Sequence, residues 1–268
     1  MSIYDKDVMP RDSVITMIAE VRTAQAEVAQ AFKLMESAKH RLKLALGEHR
    51  DNLWEGNFSG YNMEREAKDS AAIIKRNAWK SIVARLQVRE IVSVKKREEI
   101  DRQLDDGKLP ELTEQNVRSF IDQLHRDIGS LLEDSAREVF DWLRPTNNWK
   151  QLKTNNKNVY GLTDKVIMTW GMDSEYDKSM PRRVSYHSEK YFRALDNVFH
   201  LLDGKGVSKY PTDLCTTIST AGRAGKCETP YFACKWFKNG NIHIQFLRMD
   251  LVEKLNVMAG SDKLRPSA

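Results

Sequence analysis

Cysteine is scarce in this chain. Cys215, Cys227 and Cys234 are its only three, their number is odd, and no two form a CxxC pair. That pattern argues against a disulfide framework and for free thiols in a reducing cytoplasm. Long hydrophobic runs are also missing. No stretch approaches the roughly 18 apolar residues that a membrane helix needs, so no membrane partner is expected. The opening MSIYDKDVMPRDS has no basic stretch followed by an apolar one, as a secretory signal would.

Catalytic signatures are missing too. There is no GxxxxGK[ST], and AGRAGK at 221–226 is too short for a phosphate loop. GKG at 204–206 follows a helical pattern, which removes a dinucleotide-binding reading. GxSxG, HExxH, HxE with PCxxC, and the Asn-Pro-Pro-aromatic tetrapeptide of amino-methylating enzymes do not occur. His187, His200 and His243 with Cys227 and Cys234 match no usual zinc spacing. No cofactor and no metal is implied.

What is present is charge, unevenly placed. The net charge is +5, yet residues 1–144 hold 24 Lys and Arg against 26 Asp and Glu. Residues 145–268 hold 19 against 12, so the basic excess belongs to the carboxyl-terminal part. Such an excess favours polyanionic partners through counterion release.

The periodicity divides the chain the same way. Val14, Ile18, Val21, Val28, Phe32, Met35, Leu42 and Leu46 recur at steps of three and four. Gln25 and Lys39 interrupt the seam, which fits a coiled coil or helical hairpin. Its partner is either the chain's own next helix or, in a homo-oligomer, a second copy. Turn formers at 56–62 precede a helix expected over 63–92. A charged helix follows and should end by Gly107 and Pro110. Thr113 is placed to cap an amphipathic helix running from Val117 through Leu143 and stopping before Pro145. After a polar loop at 146–158, KVIMTW at 165–170 reads as a strand. Residues 172–183 read as another loop, 188–203 and 212–221 as helices, and DLVEKLN as a last helix ahead of a frayed tail. The expected fold is therefore α+β and predominantly helical. A helical hairpin or coiled-coil-like bundle (1–144) precedes a smaller basic α+β domain (145–268) with a β-hairpin at 231–247.

The hairpin is the most informative stretch. Asn239-Gly240 between two β-like runs suits a two-residue type I′ turn, which needs positive φ at both positions. Lys238 then faces Asn241, Trp236 faces His243, and Lys235 faces Ile244. Alternation puts Tyr231, Ala233, Lys235, Phe237, Ile242, Ile244 and Phe246 on a core face, with Lys235 the misfit. That lysine is either an edge-strand device with a snorkelling stem or an amine aimed at an anion. The other face carries Phe232, Cys234, Trp236, Lys238, Asn241, His243, Gln245 and Leu247. It is either a second packing layer or a surface on which Trp236 and His243 stack a base while Lys238 and Arg248 hold phosphates. A one-residue slip would exchange the faces. Arg182 and Arg183, in a loop of the basic half, add a candidate phosphate contact.

The succession GKLPELTEQNV, EDSAREVFDWL, SEKYFRALDNVFHLLDGKG and YFACKWFKNGNIHIQF with DLVEKLN resembles a phage, prophage and plasmid domain family of unknown function. The likeness covers about residues 70–256. In some members the region is similar to one preceding an adenine-specific DNA methyltransferase module. That portion is lacking here, and the resemblance supplies no catalytic residues. It implies a mobile-element setting: DNA modification, restriction evasion or host–phage conflict. The combined expectation is a non-enzymatic cytoplasmic accessory protein that binds DNA or a DNA-handling host protein. Lys235, Trp236, Lys238, His243, Arg248, Arg182 and Arg183 would make the contacts. The alternatives are a nucleic-acid-modifying or toxin-like enzyme using His243 and Lys235, and a structural oligomer built on the 14–46 seam.

Overall fold

A computed structural model describes residues 11–46, 63–106, 108–145, 155, 161–173 and 182–259. The turn expected at 56–62, the breaker Gly107 and the frayed tail lie outside these residues, as do most of the loops expected at 146–158 and 172–183. The elements, in order, are α1 (Arg11–Leu46), α2 (Met63–Arg85), α3 (Val88–Ile91), α4 (Val94–Asp105) and α5 (Glu114–Leu143). They continue as β1 (Lys165–Met168), α6 (Tyr186–Leu202), α7 (Leu214–Thr220), β2 (Lys226–Glu228), β3 (Phe232–Trp236), β4 (Ile242–Phe246) and α8 (Met249–Ala259). The class is α+β and mostly helical, as the periodicity indicates. No described helix is long and apolar enough to cross a membrane.

Packing divides the described residues into two compact units, those within 11–86 and 99–124, and those within 87–98 and 125–259. The division falls within α5, whereas the composition changes near residue 145.

In the first unit α1 packs along α2. Val14 and Ile18 are buried, and Val21, Gln25, Val28, Phe32 and Met35 are half-buried on the same stripe. Gln25, a polar interruption of that stripe, donates its side-chain amide to the Ala71 carbonyl at 3.1 Å. The intrachain partner of the seam is thus α2. Trp79 packs edge-on to Phe120 at 5.8 Å, and its indole donates to the Pro110 carbonyl.

The helix expected over 63–92 is instead two. Gln87 takes φ 51, a left-handed conformation that no α-helix continues through, and it separates α2 from α3. Thr113 caps α5 as expected, its hydroxyl accepting the Asn116 N–H at 3.1 Å.

The second unit is built around an antiparallel sheet in the order β1-β4-β3-β2. Its inner face buries Phe232, Cys234, Trp236, Ile242, Ile244, Phe246, Val166 and Met168. Against these lie Phe192, Leu195 and Phe199 of α6, with Phe199 stacked on Phe246 at 5.5 Å. Leu251, Val252 and Leu255 of α8, Leu214 and Ile218 of α7, and Val139, Phe140 and Leu143 of α5 complete the core. α6 begins at Tyr186, two residues before the expected cap Ser188, and Gly204 follows its end at φ 71. Asn155 pins the start of the sheet. Its amide donates to the carbonyls of Leu143 and Ile167, and its oxygen accepts the Ile167 N–H.

Candidate functional site: the outer face of the sheet

The hairpin bends one residue away from the expected place. Cys234 faces Ile244, Lys235 faces His243, and Trp236 faces Ile242. The loop is Lys238-Asn239-Gly240, closed by the Phe237 N–H on the Asn241 carbonyl and the Gly240 N–H on the Phe237 carbonyl. Of these residues only Gly240 has positive φ, at 81°. This is a three-residue turn ending in a left-handed glycine, not the type I′ turn, and Asn-Gly satisfies both.

The slip exchanges the faces of β3 relative to β4, and it corrects the sequence reading directly. Trp236 is 4% exposed, and its indole donates to the Gly222 carbonyl at 3.1 Å. It is a core residue and does not share a surface with His243. Lys235 is no misfit, because it stands on the outer side directly opposite His243. Burying the indole and exposing the ammonium is the arrangement that desolvation favours.

Following cross-strand partners outward gives two rows on the outer face. One runs Ile167, His243, Lys235, Lys226, and the other Lys165, Gln245, Ala233, Glu228. All of them but Ile167 line a shallow depression of about 450 Å³, reached also by the backbone neighbours Cys227 and Cys234. The Phe237 ring lies 4.5 Å from that of His243 and 5.5 Å from the Lys235 ammonium. Among the described residues lining the depression, Glu228 is the one carboxylate, and neither Lys165, Lys226 nor Lys235 is ion-paired. Partial burial lowers the His243 pKa, and the charges of Lys165 and Lys235 lower it further. The imidazole is therefore neutral at pH 7, able to donate from one nitrogen and accept at the other. Chemically, the face is a shallow cationic platform with one aromatic pair.

The remaining expected contacts are dispersed. Arg248 donates to both Asp250 oxygens, at 2.8 and 2.7 Å, and to Asp203 at 3.2 Å. It clamps the start of α8 to the end of α6, so its charge is already neutralised. Asp203 also accepts from Lys205 and from the Tyr231 hydroxyl, and these partners, Lys205 foremost, hold its carboxyl down at about 2. Arg182 donates to the carbonyls of Phe237 and Lys238 and braces the hairpin loop from behind. Arg183 and Lys238 are exposed near that loop.

Sequence reasoning missed Lys165 and Lys226. Lys226 lies on the three-residue β2, whose Lys-Cys-Glu composition carries no strand signal. Lys165 reaches the site only because β1 pairs with β4, a non-local fact. It also missed two large exposed aromatics close to the same loop. Trp170 is 73% exposed at φ 60, and Tyr186 is 84% exposed. The Trp170 carbonyl accepts from the Ser185 hydroxyl at 3.1 Å, while the Gly240 carbonyl accepts from the Met172 N–H. The turn after β1, the head of α6 and the hairpin loop thus form one edge.

A family model described as Domain of unknown function (DUF4942) matches residues 71–264. No curated protein matches the chain, and no solved structure does.

Proposed function

The chain belongs to this family of unknown function, and on that premise we propose that it is a non-enzymatic protein that binds single-stranded DNA on the outer face of its sheet. One observation carries the reading: Lys165, Lys226 and Lys235 are gathered around His243 without a carboxylate partner. Folding gains nothing from this arrangement. Like charges set opposite each other across strands destabilise a sheet, and here Lys226 directly faces Lys235. A bound chain of phosphates reverses that cost. The shallow face suits a single strand, which lays its backbone along a cationic groove and its bases on rings such as Phe237 and His243. Lys238, Arg183, Trp170 and Tyr186 extend the surface at the loop edge with both cations and stacking area. The mobile-element setting implied by the sequence resemblance, phage or prophage accessory work on DNA in the cytoplasm, belongs to the same proposal.

The test is a salt series of binding to a short labelled oligonucleotide, single-stranded and duplex. With three phosphates neutralised on a single strand, log K should fall against log salt with a slope of about −2. Affinity for the duplex should be weaker. Binding that ignores salt, or that favours the duplex, overturns the reading.

A further inference from the structure

The sheet that carries the cationic face also holds two of the three cysteines opposite each other. Cys227 on β2 is the cross-strand partner of Cys234 on β3. Two residues to one side, the Trp236 N–H bonds the Gly225 carbonyl at 3.0 Å; two residues to the other, the Thr229 N–H bonds the Phe232 carbonyl at 2.8 Å. Bonded pairs recur at every second residue in an antiparallel ladder, so Cys227 and Cys234 occupy a bonded pair, with Cα atoms about 5.5 Å apart. Disulfides are found at Cα separations of roughly 4.4–6.8 Å. Both side chains leave the same side of the sheet, and the two thiols are near enough to shift each other's titration in opposite directions. Both are free thiols here.

We propose that Cys227 and Cys234 are a reversible oxidation site that closes to an intramolecular disulfide when the protein meets hydrogen peroxide. Their unequal exposure assigns the roles. Cys227 is half-buried on the edge strand at the margin of the core, so it meets the oxidant; Cys234 is buried behind it and resolves. The neighbouring Cys234 lowers the Cys227 pKa against the opposing effect of burial, which favours the attacking thiolate. That thiolate attacks one peroxide oxygen, the O–O bond breaks, and hydroxide leaves to become water, giving a sulfenic acid on Cys227. The Cys234 sulfur then attacks the sulfenic sulfur. The S–O bond breaks as the S–S bond forms, and the departing oxygen leaves as a second water with the Cys234 proton. Two thiols and one peroxide yield one disulfide and two waters, and a dithiol reductant reverses the change. Cys215 takes no part. It lies buried under α6, its thiol directed at the Glu189 carbonyl, and burial pushes its pKa up to about 12. The bridge would tie the short edge strand β2 to β3 beside Lys226 and Lys235, but the inference does not depend on what the cationic face binds.

The full chain should be treated with hydrogen peroxide, denatured, alkylated with N-ethylmaleimide and weighed, then digested with trypsin. Residues 227–235, CETPYFACK, form one tryptic peptide holding both cysteines. The expected result is a monomer with a single alkyl group, on Cys215, and a 227–235 peptide two hydrogens lighter than its reduced form. Dithiothreitol before alkylation should restore three alkyl groups, and Cys215→Ala should leave the bridge in place. Three alkylated thiols after peroxide would overturn the proposal. So would a sulfinic acid on Cys227 beside an alkylated Cys234, a bridge that includes Cys215, or a disulfide between two chains.

Discussion

Lys226 stands directly opposite Lys235 on the outer face of the sheet, two ammonium groups at neighbouring positions of adjacent strands. Trp236 N–H bonds Gly225 on one side of this pair, and the alternation of the ladder makes it a non-bonded pair, the type in which side chains approach most closely. The arrangement separates stability from function. Lys226→Glu should place an opposite charge against Lys235 and raise unfolding stability in urea by roughly 0.2–1 kcal/mol. The same change should weaken oligonucleotide binding. A variant that is both more stable and a poorer binder is the signature of a site kept at the expense of the fold.

His243 gives a pH dependence with a defined sign. Its folded pKa lies below the ordinary value of 6.5, first through burial and then through Lys165 and Lys235. As pH falls below 6.5 the unfolded chain takes up the proton first, so the free protein loses stability in that window. A phosphate on the face screens the lysines and favours the imidazolium, so binding should tighten over the same window. Comparing melting temperature and affinity of wild type and His243→Gln between pH 7.5 and pH 5 checks both, because the variant should lose both trends. His200 offers an internal contrast. It is half-buried too, which works against its charged form, yet bonding to Asp196 raises its pKa, so its contribution is present at low pH and lost as pH rises.

Trp236 should behave as a core residue. Trp236→Ala removes a fully packed indole and should cost about 3–5 kcal/mol. Trp236→Phe leaves the buried Gly222 carbonyl without its donor and should cost about 1–3 kcal/mol. Chemical denaturation measures both, and at temperatures where Trp236→Phe stays folded its oligonucleotide affinity should match wild type.

Gly240 is required by geometry. At φ 81, a side chain is disfavoured, and a Cβ would stand 3.2 Å from the Met172 carbonyl. Gly240→Ala should destabilise the second unit by about 1–2 kcal/mol from the left-handed backbone alone. A thermal melt followed by tryptophan fluorescence reads the shift.

These contrasts show where the amino-acid pattern is legible. α5 and α6 announce themselves because a long amphipathic period leaves one solution, and Thr113 and Gly204 mark ends that only capping chemistry explains. The hairpin strands and the bend at Asn239-Gly240 are equally plain. The register is not, because Asn-Gly serves both a two-residue loop and a three-residue loop whose only left-handed residue is the glycine. The decision belongs to packing. Trp236 finds the Gly222 carbonyl inside, and Lys235 finds water outside, which is why Lys235 looks out of place on the face that a two-residue turn would give it. The break at Gln87 has no signal, since glutamine is an ordinary helix residue and its left-handed backbone is imposed by the fold. The site as a whole cannot be read locally. Its members Lys165, Lys226, Lys235 and His243 come from four strands, and only the order β1-β4-β3-β2 sets them side by side.

The central claim is that the lysines of the outer face hold phosphates. Its most direct test is the salt slope of single-stranded oligonucleotide binding for wild type and for Lys165→Ala/Lys226→Ala/Lys235→Ala. The variant should be folded and at least as heat-stable as wild type, with a slope that flattens by about 0.7 for each lysine removed and an affinity that collapses at low salt. An unchanged slope with unchanged affinity in that folded variant would contradict the claim.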